Sequence, residues 1–217
     1  MQKLSQQEID KIIADHQKWL EKEEGGQRAD FSNVDLSNLD FSNIDFYKAD
    51  FSNADLSNAD LSYADLSYAN LCGANLSYTD LSYAYIFQAD FSNADLSSAS
   101  FFRSDIINSV LSEANLSNAD LSRSHIADVE FNYSNISRAD FFESELKRVD
   151  FSYANLQKAS FYGSKLNKIN FTEAILDNTD FYKSELKGVD FSNTKIDLNS
   201  VYFKDIKYDE TTVFPNT

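Results

Sequence analysis

A large apolar residue recurs at every fifth position from Phe31 to Ile206, and all 36 of these centres are Leu, Phe, Ile or Val. Two residues before the centre the side chain is small, Ala in 17 pentads, Ser in seven and Thr in three. The residue between is Asp or Glu in 21 pentads, and Ser predominates just after the centre. A period of five suits neither a 3.6-residue helix nor a simple alternating strand. Within a pentad, however, the centre and the small residue share a parity. In an extended segment both face one side and the intervening acid faces the other. Each pentad must then turn before the next begins. Repeated 36 times without an insertion, this winds a coil with Leu and Phe inside and Asp, Ser and the variable fifth residue outside. From Phe131 to Phe191 the centres alternate strictly between Phe and Ile or Leu. A coil with an even number of sides stacks each kind on itself.

The first 28 residues lie outside this pattern. Ser5 opens a capping box completed by Glu8, Leu4 and Ile9 form a hydrophobic staple, and Gly25-Gly26 ends the helix. Ile9, Ile12, Ile13, His16, Trp19 and Leu20 fall on one helical face. That face plugs the open end of the first coil, since a stack of repeats exposes an apolar layer at each end. A docking helix for a partner is the alternative.

The A(D/N)LXX pentads that run unbroken over residues 29–208 resemble those of the pentapeptide-repeat proteins, as does the leader HQKWLEKEEGGQRADFS. The resemblance implies an all-β solenoid: a right-handed quadrilateral β-helix with four pentads per turn. Residues 1–28 then form an N-terminal capping α-helix, residues 29–208 the β-helix and residues 209–217 a C-terminal cap. Thirty-six pentads give about nine coils and, at one strand layer per coil, a rod ~43 Å long.

The 217 residues include only five Gly and one Pro, so short polar residues are expected to make the turns. Nineteen Lys and Arg against 35 Asp and Glu leave a net charge of −16, which argues against direct contact with nucleic acid or an anionic membrane. The single Cys72 rules out an internal disulfide, and no apolar run spans a membrane, so a soluble cytoplasmic protein is expected. No phosphate-cradling loop, zinc motif or calcium loop is present, and no cofactor or metal is expected. The Asp residues recur because the repeat recurs, which speaks against catalysis and for a non-enzymatic protein-interaction or structural module. His125 replaces the acid before a centre, and a 20-residue turn makes Asp105 and Glu145 its neighbours.

Three surfaces are candidates for a protein partner. Residues 29–100 hold 11 Asp and one base, Lys48. The resemblance extends to family members that mimic DNA and bind type II topoisomerases such as DNA gyrase. It implicates the columns Asp30, Asp50 and Asp90; Asp35, Asp55 and Asp95; Asp40, Asp60 and Asp80; and Asp45 and Asp65. The interrupting loops of those members are not seen, and Lys147, Lys187 and Lys207 share a column in the more basic second half. Second, an aromatic strip follows the centres: Phe102, Phe142, Tyr162, Tyr182 and Tyr202 on one face, with Phe87 and Ile107 on the next. It either stiffens the ladder or docks a partner or a second copy. Third, Leu198, Phe203 and Tyr208 at outward positions, with Phe214, make the C-terminal end apolar and point to a homodimer.

Overall fold

The structure, a computed structural model, describes residues 1–194 and 200–214. Its chain coils into a four-sided β-solenoid whose rungs pair in parallel 20 residues apart. The first ladder runs through Asp30, Asp50, Asn70, Asp90, Val110, Glu130, Asp150, Asn170 and Asp190 to Val213. The second begins at Asp35, the third at Asp40 and the fourth at Asp45. Strand β1 (Gln2–Lys3) and helix α1 (Gln6–Leu20) precede the coil, and β1 pairs with β2 (Val34–Asp35). On the fourth face the single-residue bridges lengthen into true strands: β3 (Tyr85–Phe87), β4 (Asp105–Ile107), β5 (His125–Ala127), β6 (Glu145–Lys147), β7 (Lys165–Asn167), β8 (Glu185–Lys187) and β9 (Lys207–Tyr208). These form one parallel seven-stranded sheet, about six turns of continuous strand on that face; elsewhere the rungs are isolated bridges.

Each rung is held by a reciprocal pair of backbone bonds. Phe31 N–H donates to the Asp50 carbonyl at 2.7 Å, and Asp50 N–H donates to the Ala29 carbonyl at 3.0 Å. Inside, the alternation of centres has the consequence expected of it. Phe131, Phe151, Phe171 and Phe191 stack on the first face at 5.1 to 5.4 Å, and Phe141, Phe161 and Phe181 on the third at 4.6 and 5.1 Å. Rings from the two faces meet edge to face, as Phe141 and Phe151 do at 6.0 Å, a favoured arrangement of their quadrupoles. The position two before the centre is buried as well, as at Ala49, Ala54 and Ala154, and it also accepts Val129, Val149 and Ile169 inside the coil. Where it is Ser, the hydroxyl bonds inward: Ser104 Oγ donates to the Phe101 carbonyl at 2.8 Å.

The corner adds a second reason for the scarcity of glycine to the short polar turn residues expected from the sequence. Two residues after every centre from Phe31 to Leu186 the backbone turns left-handed, with φ near +60° at Asn33, Tyr63, Lys158 and their counterparts. Among the described residues only Gly73, Gly163 and Gly188 are glycines there. A left-handed L-residue costs about 1–2 kcal/mol, so the interlocked rungs on both sides impose the conformation. The position is also not reserved for short side chains. Tyr, Lys, Arg and Glu occupy it because the side chain leaves the rod at the corner, where it stacks on the next coil: Tyr63 and Tyr83 lie 4.7 Å apart and 4° from parallel.

Helix α1 closes the first coil. Ser5 and Glu8 form the reciprocal capping box, and Leu4, Ile12 and Ile13 pack on the core beside fully buried Ile9. His16 is buried too, and its Nδ1 accepts the Ala29 N–H at 3.0 Å, which ties the helix to the first rung. A Cβ on Gly26 would lie 2.4 Å from the Trp19 backbone nitrogen, so only glycine lets the chain leave the helix this closely.

At the other end the five-residue period does not continue without a slip. Asp180 pairs with Tyr202, Leu186 with Tyr208 and Asp190 with Val213, at separations of 22, 22 and 23 residues in place of 20. Two residues are therefore inserted between Asp190 and Tyr202, and a third between Tyr208 and Val213. Phe203 becomes the centre above Phe181, and Phe214 stacks above Phe191 at 5.8 Å.

Candidate interaction surfaces

The eleven aspartates sit on all four faces, one ladder each, as expected from the repeat. Each secures its own corner, where its Oδ1 accepts the backbone N–H two residues on, as Asp50 does from Ser52 at 2.9 Å and Asp60 from Ser62 at 2.8 Å. Asx turns of this kind are why a short acidic or amide side chain stands before the centre. The backbone bond is the main reason that the carboxyls of Asp30 and Asp40 titrate below the usual range, and at Asp35 the Ser37 hydroxyl leads. Asn forms the same turn without charge. On the second face Asn75 donates to Asp55 at 3.0 Å, Asn115 to Asp95 at 3.0 Å, and Asn135 to Asn115 at 3.1 Å, so the amides relieve what would be stacked carboxylates.

The aromatic strip is interrupted, and its rings are not bare. Phe102 stands edge-on to Tyr83 at 5.8 Å, while Ser122 separates it from the Phe142–Tyr162–Tyr182 run, spaced 5.5 and 5.3 Å. All four residues of the strip up to Tyr182 are half-buried. Tyr202 is not in their column: the slip puts it in the column of Asp180, and Lys204 takes the place above Tyr182. Basic side chains from the left-handed corner lie over the rings. The Arg103 guanidinium is 5.3 Å from the Phe102 centroid, that of Arg123 is 5.8 Å from Phe142, and Lys183 Nζ is 5.0 Å from Tyr182. The repeat pattern does not single out these cations, although aligning corner residues at 20-residue intervals places them beside the rings. Phe87 and Ile107 belong to the fourth face as expected, both half-buried. Phe87 ends a run of rings from the cap, Trp19 to Tyr47 to Tyr68 to Phe87, at 6.4, 5.3 and 5.5 Å.

The slip also revises the C-terminal residues. Phe203 points inward and is half-buried, where an outward position was expected. Tyr208 is mostly exposed and edge-on to Phe214 at 5.2 Å. Lys207 pairs with Glu185 and so leaves the column of Lys147 and Lys187. Leu198 lies outside the described residues.

His125 sits between Asp105 and Glu145 on the fourth face, with Nδ1 3.5 Å from the Asp105 carboxylate. The ladder goes on with alternating sign. Lys165 Nζ meets Glu145 at 2.5 Å and Lys207 Nζ meets Glu185 at 2.8 Å, and these bonds lower both glutamate pKa values. Among the described residues no three His, Cys, Asp or Glu side chains gather to hold a metal ion, and no helix is long and apolar enough to cross a membrane.

Residues 27–62, 54–93 and 154–193 match the family description "Pentapeptide repeats", and residues 84–161 match "Pentapeptide repeat region". No curated protein matches the chain. Among solved structures, QnrB1, a plasmid-mediated fluoroquinolone resistance protein, is similar over 81% of this chain and 90% of its own, with 19% identity and a TM-score of 0.59. HetL, a pentapeptide repeat protein involved in heterocyst differentiation regulation from the cyanobacterium Nostoc sp. strain PCC 7120, aligns over 92% of this chain and 95% of its own, with 21% identity and a TM-score of 0.42. At 19% identity the likeness to QnrB1 is one of fold.

Proposed function

Because the chain belongs to the pentapeptide-repeat family, we propose that it is a non-enzymatic, protein-binding rod that works through its outer faces, above all the third. The observation that carries this reading is the third-face strip of rings and cations, from Tyr83 and Phe102 to Tyr182 and Lys204. Aromatic side chains and arginine are the residues that dominate binding energy at protein interfaces. The carboxylates, by contrast, are engaged in forming corners, a structural use that leaves them poor candidates for catalysis. Changing Phe102, Phe142 and Tyr162 to Ser should preserve the coil, since the inward centres are untouched. The variant should lose the specific partner that the parent and a Tyr133→Ser, Tyr153→Ser control both retain. An identical set of partners for all three proteins overturns the reading.

A second reading, mimicry of DNA at a type II topoisomerase, is favoured by one observation: aspartates stacked at coil spacing on every face of the first half. The Asx turn supplies a clean test. Asp40→Asn, Asp60→Asn and Asp80→Asn keep an acceptor for each corner while removing three charges from one ladder. Under this reading the parent protein alters gyrase supercoiling or its quinolone poisoning at micromolar concentration, and the triple variant does so less. A parent without effect rules it out.

A homodimer through Phe203, Tyr208 and Phe214 is the form in which the C-terminal end would be covered. Light scattering at rising concentration tests it, and a monomer throughout removes it.

A further inference from the structure

The two-residue slip builds a groove that the regular coil lacks. Along the third face the residue before the centre is Asp40, Asp60, Asp80, Ser100, Asp120, Asp140, Ser160 and Asp180 in successive turns; then the slip substitutes Tyr202, 59% exposed. Tyr202 on one side and Tyr162 and Tyr182 on the other now flank Asp180, with Lys204 at the end. The groove is open to solvent and offers about 360 Å³. In solenoids, insertions into one repeat gather on one face and commonly mark where it binds.

We infer that this groove is a binding site for an organic ammonium ion: a quaternary ammonium or the head of a methylated or free lysine side chain. Tyr162, Tyr182 and Tyr202 line it, and the electron-rich face of a tyrosine ring attracts such cations. Asp180 supplies the counter-charge. Its Oδ1 is taken by the Tyr182 N–H at 2.8 Å, which fixes the carboxylate in the floor of the groove. The ring faces are already used in this way by the chain itself. Lys183 Nζ lies 5.0 Å from the Tyr182 centroid and 5.7 Å from that of Tyr162, and Lys204 Nζ lies 5.9 Å from Tyr182. Lys183 is anchored by the Tyr162 hydroxyl at 3.3 Å. Lys204, placed in the ring column only by the slip, is an internal occupant that an incoming ammonium displaces. Asp180 and the net charge of −16 stand against an anion, whereas Lys183 and Lys204 would attract one, so the Lys204→Gln variant separates the two. This inference does not depend on the protein-docking reading, because a free small cation tests it.

Tetramethylammonium chloride is titrated at constant ionic strength, with sodium chloride as control, while the tyrosine ring resonances are followed by NMR. Saturable shifts are expected at Tyr182 and Tyr202 and not at the exposed pair Tyr133 and Tyr153. Lys204→Gln removes the internal competitor and should tighten binding at least about threefold, whereas Asp180→Asn, which keeps the corner acceptor, should weaken it by a similar factor. The sign of the Lys204→Gln effect is decisive, because a sugar or an anion held by that lysine would bind the variant more weakly. Absence of saturation, equal shifts at Tyr133 and Tyr153, or weaker binding by Lys204→Gln each overturns the inference.

Discussion

Phe203 stacks on Phe181 with ring centroids 5.3 Å apart and planes 11° from parallel, although the two are 22 residues apart along the chain. Val201, the centre that the five-residue period would choose, is buried without entering the stack. The aromatic column therefore outweighs the period at the last coil: a Phe on Phe keeps both the buried area and the edge contact to Phe191 at 5.4 Å. Phe203→Ala should cost roughly 1.5–3 kcal/mol, less than a fully buried Phe because this layer is half-open. Tyr202→Ala should stay within about 0.5 kcal/mol. Thermal melts of the two variants decide the register, since equal losses would contradict it.

The same pair shows what can be read from the chain and what cannot. The coil, its parallel rungs and the inward Phe columns follow from the pentad, because parity fixes which side chains point inward and the alternation of centres fixes an even number of sides. The slip is hidden because Ile196, Val201 and Ile206 keep the period going in sequence. Only the preference of a Phe column for another Phe breaks it. The aromatic residues of the third face are legible, but the arginines and lysines that cover them are not, since they come from the left-handed corner position. Sequence alone does not single out that position, because it carries Asn, Tyr, Lys, Arg and Glu alike.

The corner carboxylates separate charge from fold. Asp50 accepts both the Ser52 N–H at 2.9 Å and the Asn70 amide at 3.2 Å. Asp50→Asn keeps an acceptor for Ser52 and should change stability by less than about 0.5 kcal/mol, while Asp50→Ala strands the corner N–H and should cost about 1 kcal/mol. Urea unfolding midpoints would show the difference. If Asn proved as harmful as Ala, the carboxylate's charge, and not its geometry, would be what the corner needs.

The cap should loosen in acid. Burial pushes the His16 imidazole below its ordinary range; Asp45 works against this and Arg28 adds to it. Because Nδ1 accepts from Ala29, the docked ring is neutral. A depressed pKa means that the unfolded chain binds the proton first. The stabilisation is thus complete above about pH 6.5 and declines as the pH falls from there towards the folded value. Trp19, the sole tryptophan, stacks on His16 at 5.5 Å and reports the docking directly. Its emission should shift to longer wavelength between pH 7 and 5 before the coil itself melts. A flat profile over that range would contradict the prediction.

The alternating ladder on the fourth face depends on sign more than on any one pair. Lys165 stands between Glu145 and Glu185, bonded to the first, and its own pKa is raised mainly by that bond. All three side chains are about half exposed or more, so removing the charge with Lys165→Gln should have little effect. Lys165→Glu is different, because it places three like charges in consecutive rungs, where directly opposed side chains repel. Its melting temperature should fall below that of Lys165→Gln at low salt. The gap should close as salt is raised, since exposed charges are screened within about 10 Å at 0.1 M. Lowering the pH below about 4 should also close it, because the glutamates then lose their charge. A gap that persists in high salt would show that the loss lies in packing and not in the ladder's charge.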